Sequence, residues 1–116
     1  MSEEELPIFV KWLESLSWII QTAEKFPKRV RGTITDRLIN IALDIIEDFI
    51  EGRYSRGKID ILRRINLKLE KIRVLLRIAH EQKILPHQQY KHGAYLINET
   101  GKMLGGWIKQ QEAGRT

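Results

Sequence analysis

Apolar residues recur at intervals of three and four through nearly the whole chain, and nowhere do they alternate with polar ones at period two. A 3.6-residue period gathers such residues on one stripe of a helix, whereas a half-buried strand needs period two, so the pattern points to an all-α fold. Four segments carry it. The first, about 7–26, repeats Phe9, Trp12, Leu13, Leu16, Ile19, Ile20 and Ala23; the second, about 33–52, repeats Ile34, Leu38, Ile41, Ala42, Ile45 and Phe49. The third, about 58–83, repeats Leu62, Ile65, Leu69, Ile72, Leu76 and Ala79, and the fourth, about 87–111, Tyr90, Ala94, Ile97, Gly101, Leu104 and Ile108.

The punctuation agrees with this division. Pro7, Pro27 and Pro86 each stand before a periodic segment, where a missing N–H costs little because the first helical turn has no intrahelical acceptor for it. Thr33 with Asp36 three residues on resembles a start signal for the second helix, and Gly52 is placed as its C-terminal cap. Gly101 and Gly105, four apart, are expected to let a neighbouring backbone approach the fourth helix. Short links between helices of this length give an antiparallel, up-down four-helix bundle. At 116 residues the chain is expected to form one domain, 1–116, with the tail 112–116 frayed.

Helices two and three carry more apolar surface than one core stripe explains. Ile39, Leu43, Ile46 and Ile50 form a second row on helix two, about 110° from the first at 100° per residue. Leu67, Val74 and Ile78 form one on helix three, opposite its core stripe. A wide core would absorb these rows; left exposed, they suit a homo-oligomer interface.

Charge is as unevenly placed. The net charge of +5 conceals a segment, Arg53 to Lys83, with ten basic residues against three acidic ones, beside a mildly acidic remainder. Arg63, Arg73 and Arg77 flank the outer row of helix three on one side, and Arg64, Lys68 and Lys71 on the other. Lys28, Arg29 and Arg31 form a second cluster. Acids such as Glu70 beside Arg73, or Asp44, Glu47, Asp48 and Glu51 across on helix two, would neutralise part of this charge. The surplus suits phosphate neutralisation, the sequence-independent term in nucleic-acid binding.

Catalytic and metal constellations do not appear. Without cysteine there are no disulfides, thiolate metal sites or thiol nucleophiles. His87 and His92 are five apart and do not share a helix face, and the carboxylate pairs Asp44–Asp48 and Glu47–Glu51 lack histidine partners. Ser15, Ser17 and Ser55 have no nucleophile context. The reading is a protein that is not an enzyme and has no cofactor or metal. Met1 to Glu5 is acidic, unlike a leader, and no apolar run reaches membrane-spanning length, so a cytoplasmic protein is expected. Trp18, off the core stripe, and Trp107, at its edge, are placed for stacking on a base or for contact with another subunit.

Five strings then stand in order: Phe26-Pro27-Lys28-Arg29-Val30-Arg31, Ala42-Leu43-Asp44-Ile45-Ile46-Glu47-Asp48, Arg53-Tyr54-Ser55-Arg56, Leu69-Glu70-Lys71-Ile72-Arg73-Val74-Leu75-Leu76-Arg77 and Met103-Leu104-Gly105-Gly106-Trp107. Together, from about Trp12 to Gln111, the chain resembles the accessory variability determinant proteins of diversity-generating retroelements. It is more distantly similar to the four-helix proteins encoded in ribosomal-RNA intervening sequences. The resemblance implies a helical bundle that assembles as a pentameric barrel. It also implies binding of the element's reverse transcriptase and of RNA, with DNA as an alternative, in support of mutagenic retrohoming, without catalysis of its own. Carried over onto the matching strings, the basic residues are Lys28, Arg29, Arg31, Arg53, Arg56, Lys71, Arg73 and Arg77. Arg63, Arg64 and Lys68 rest on the charge argument alone. The competing reading is a helical adaptor whose basic face meets an acidic protein or ribosomal RNA.

Overall fold

The computed structural model describes residues 6–114, so the acidic start at Glu3 to Glu5 and residues 115 and 116 lie outside the described part. Four helices, α1 (Pro7–Ala23), α2 (Asp36–Tyr54), α3 (Ile59–Glu81) and α4 (His87–Ala113), form the bundle expected from the periodicity. Among the described residues there is no strand. Each helix packs on its neighbours in the chain, and α4 closes back on α1, giving a rod of 48 × 23 × 21 Å.

The core is the set of stripes read from the sequence. Trp12, Leu38, Ile45, Phe49, Leu62, Ile65, Leu69, Ile72, Ile97 and Leu104 are almost wholly removed from water. Trp12 also makes a polar tie deep in that core, its indole N–H donating to the Ala42 carbonyl at 3.0 Å. Leu13, assigned to the α1 stripe, instead stays 41% exposed. At 100° from Trp12 it falls at the edge of the stripe, beyond the reach of the neighbouring helices.

The helix boundaries differ from expectation where side-chain hydrogen bonds decide them. Pro7 opens α1 and Pro86 precedes α4, but Pro27 opens only a short 3₁₀ turn, Lys28–Val30, followed by a wide turn at Arg31–Thr35. Thr33 and Thr35 do not cap α2. Their hydroxyls donate to the carbonyls of Val30 (3.2 Å) and Ala23 (3.3 Å), so they tie the linker to the end of α1 instead of accepting from N–H groups of α2. Buried Phe26 and Val30 pin the same linker to the core.

Gly52 is likewise not a cap: α2 runs on to Tyr54, and Gly52 is buried where an added Cβ would lie 3.5 Å from Ile61. The carbonyls at this helix end are satisfied by Lys58, whose ammonium donates to Gly52 at 3.0 Å and Arg53 at 3.3 Å. One of the ten cations of the basic segment is therefore an end cap. At the far end α3 stops at Glu81, and Lys83 adopts φ 61, the left-handed conformation that lets Ile84 and Leu85 donate back to the Ala79 carbonyl. At the chain's end, helical structure continues through Ala113, past the start of the expected frayed tail.

Close approach occurs at a glycine other than those expected. At Gly93 a Cβ would come within 2.7 Å of the Trp18 ring and 3.1 Å of Leu76. Trp18 is thus packed within the chain, half-buried over α4 with His92 edge-on at 5.5 Å. Trp107 is half-buried against the core. At Gly105 no atom lies within 4 Å of an added Cβ, and at Gly101 only the Arg73 guanidinium does, at 3.9 Å.

Candidate nucleic-acid interface and assembly surfaces

The eleven basic residues singled out from the sequence fall into distinct environments. Arg64 and Lys68 project from α3 across to α2. There Arg64 donates to Asp48 at 3.0 Å and Glu51 at 2.6 Å, and Lys68 donates to Asp48 at 2.6 Å. Asp48 is only 6% exposed, the most deeply placed charge among the described residues, and an isolated carboxylate there would be costly. The two cations are what make its burial tolerable. Hydrogen bonds to Asp48, and then to Glu51, hold the Arg64 pKa above its ordinary value.

Arg63 reaches the other way, to Glu112 on α4 at 3.1 Å. Arg73 is tied to Glu70 on its own helix and donates to the Asn98 side-chain oxygen at 3.1 Å, while Arg77 meets Glu81 at 2.8 Å. The hydrogen bond to Glu81 raises the Arg77 pKa as well. The acids of α2 therefore do neutralise part of the charge, through Arg64 and Lys68; Lys71 is not involved.

Lys28, Arg29, Arg31, Arg56 and Lys71 differ from these. All five are exposed, and none has an ion-pair partner among the described residues. Lys28, Arg29 and Arg31 sit together on the linker turn that Phe26 and Val30 anchor, which presents them on an ordered scaffold. Arg53 is half-buried at the end of α2, where its carbonyl accepts from Lys58.

Replacing Asp48 by alanine leaves Lys68 without its carboxylate and Arg64 with only Glu51. The expected loss of unfolding free energy is about 1.5–2 kcal/mol, the lower part of the range for charged hydrogen bonds because Arg64 is well exposed. Urea denaturation checks this; an unchanged midpoint would assign Asp48 no structural role.

The apolar rows are exposed, but as two surfaces and not one. Leu67 (57%), Val74 and Ile78 stand out on α3, where Leu67 and Val74 border a groove of about 350 Å³ with Ile41 and Arg37 of α2. On α2, Leu43 and Ile50 are exposed, while Ile39 and Ile46 are half-buried against the core. Ile39 lines a cleft with Ala23 and Phe26, so helical spacing puts this row on the side of α2 that faces α1. Val10 and Leu13 of α1 are exposed to a similar degree. Leu13 lies about 140° around α1 from Trp18, which contacts α4, so it too is on the α2 side. The sequence pattern missed α1 because Leu13 merges with the edge of its core stripe and Val10, about 160° from Trp12, stands apart from any row.

Among the described residues no group of three histidine, aspartate or glutamate side chains is arranged to hold a metal, and no helix is long and apolar enough to cross a membrane. His80 is engaged locally, stacked on Tyr90 at 4.5 Å with its Nδ1 donating to the Leu85 carbonyl at 3.1 Å.

A family model described as bAvd-like matches residues 8–111. The chain belongs to this family, the bacterial accessory variability determinants. All five strings that carried the resemblance fall inside the matched residues, on the linker turn, α2, the end of α2, α3 and the second half of α4. Family membership makes the chain an accessory protein of a diversity-generating retroelement, and the family is a non-catalytic one. A search of curated proteins returned no match.

Proposed function

We propose that this bAvd-like chain acts in the cytoplasm as a basic homo-oligomer that brings the retroelement's reverse transcriptase and template RNA together in support of mutagenic retrohoming. The observation that carries the proposal is the ordered, unpaired cluster Lys28, Arg29 and Arg31, with Arg56 and Lys71, on a member of an accessory family. These cations need break no existing ion pair to meet phosphate. Arg63, Arg64, Lys68, Arg73 and Arg77 must exchange a carboxylate for it, so they are secondary contacts. The protein supplies affinity and position, and the polymerase supplies the chemistry.

Two apolar surfaces on different sides of one protomer suit a heterologous interface, in which one surface of each subunit meets the other surface of the next. Such contacts close into a ring when the rotation permits, in keeping with the pentamer that the family resemblance implies.

Counterion release gives the test. With the five unpaired cations on single-stranded phosphates, log affinity should fall against log salt with a slope of about −3.5 per protomer engaged. Changing Lys28, Arg29 and Arg31 together to glutamate should flatten that slope by at least about 2 and leave the helical circular dichroism intact. A flat salt response in the unaltered protein would remove the RNA reading. Displacement by an acidic protein, but not by excess RNA, would favour the adaptor reading.

A further inference from the structure

We propose that the groove between α3 and α4 is a pocket for an unpaired nucleobase of a single-stranded RNA. The inference rests on the RNA reading above and adds to it what the bound strand must offer.

The groove has a volume of about 490 Å³ and lies between Asn66 and Arg73 of α3 and Asn98, Gly101 and Lys102 of α4, with Tyr95 at its rim. That size falls within the range of small-ligand clefts, roughly 300–1,000 Å³. Its chemistry is unlike that of the rest of the basic surface. Arg73 is neutralised by Glu70, and Glu99, which also lines the groove, offsets Lys102. The site therefore has cationic and anionic groups in balance and offers little net attraction to a phosphate. It offers instead two side-chain amides, Asn66 and Asn98, and a half-exposed aromatic ring. Asn98 gives its oxygen to Arg73, which leaves its NH₂ as a donor, and Asn66 presents both donor and acceptor. Amides that read base edges beside an aromatic that stacks on the base are the elements by which proteins recognise splayed-out bases.

Tyr95 is suited to that part. It is 53% exposed and is held by partners at long range, with the Lys11 ammonium 5.6 Å from the ring centre and His92 6.4 Å away at 27°. The second spacing is near the loose limit of aromatic pairs, about 7 Å. The floor of the groove is open because Gly101 carries no side chain, and packing does not require that glycine: a Cβ there would meet nothing nearer than the Arg73 guanidinium at 3.9 Å. Gly101 lines the groove, and any longer side chain there would occupy part of its space. The groove is also clear of both apolar surfaces, which lie on α1–α2 and on the outer side of α3, so assembly through them leaves it accessible.

The test compares three probes by fluorescence anisotropy: a short single-stranded RNA, a duplex of equal length, and an abasic strand of equal length. Tyr95→Ala and Gly101→Leu should each weaken single-strand binding on the order of tenfold, the loss of one stacked base. Neither should alter binding of the duplex or the abasic strand, or the salt slope. Tyr95→Phe should bind like the parent, and circular dichroism should show all variants folded. Photocrosslinking of a strand carrying thiouridine should label the α4 peptide that contains Tyr95. Equal losses on all three probes, no loss on any, or a parent that binds the abasic strand as tightly as the intact one would each overturn the pocket while leaving the charge reading in place. A parent that binds none of the three at low salt would overturn both.

Discussion

Trp12→Ala is expected to lower the unfolding free energy by about 3–5 kcal/mol, the range for deleting a large aromatic from a packed core. Trp12 is completely buried, and it is the largest fully buried side chain among the described residues. Its ring fills the space between α1 and α2, and its N–H is satisfied by the Ala42 carbonyl. Small domains have only about 5–15 kcal/mol in hand, so the variant should be folded in part at best at elevated temperature. The melting midpoint should drop by about 10–25 °C. Trp12→Phe separates packing from polarity. It keeps an aromatic ring but withdraws the donor, and should cost about 1–2 kcal/mol because the Ala42 carbonyl retains its place in the α2 ladder. The melts need a single protein concentration, since assembly would couple to unfolding. A Trp12→Ala protein that melts within a few degrees of the parent would show that this core relaxes around the cavity.

How far the sequence disclosed this molecule depends on which interactions set each feature. The helices and their buried stripes were legible because burial of apolar side chains dictates both, and periodicity records burial directly. Trp12, Ile45, Ile65 and Leu104 stand where spacing put them. Helix ends were less legible because a side chain from elsewhere decides them. Lys58 closes α2 from four residues beyond its end, and Thr35 turns its hydroxyl back to Ala23, twelve residues earlier. The basic surface was legible in amount but not in availability. Sequence counts charges, whereas the pairing of Arg64 and Lys68 with Asp48 requires that α2 and α3 lie side by side at one register. Equally, the two apolar rows were found, but their separation onto different faces depends on which neighbour each side of α2 meets. The α3–α4 groove left no periodic trace at all, since Asn66, Tyr95 and Asn98 look like ordinary solvent-facing positions until two helices bring them together.

Assembly offers the other large effect. Leu43→Lys and Val74→Lys each place an ammonium on one of the two apolar surfaces, at positions exposed in the protomer, so folding should be unaffected and helicity unchanged. In an assembled ring each ammonium would be buried without a carboxylate, costing about 3–5 kcal/mol per interface. That weakens association by two to nearly four decades, and either variant should sediment as a monomer at micromolar concentration where the parent does not. Mixing the two variants decides the geometry. In a heterologous contact, the Leu43→Lys protein retains the intact α3 surface and the Val74→Lys protein retains the intact α1–α2 surface. One sound interface can therefore form between them but cannot propagate, and the mixture should contain a heterodimer that neither variant makes alone. If each surface instead paired with its own copy, each variant would keep one working interface and dimerise without the other. A parent that is itself monomeric at micromolar concentration would leave both apolar surfaces without a role in self-assembly.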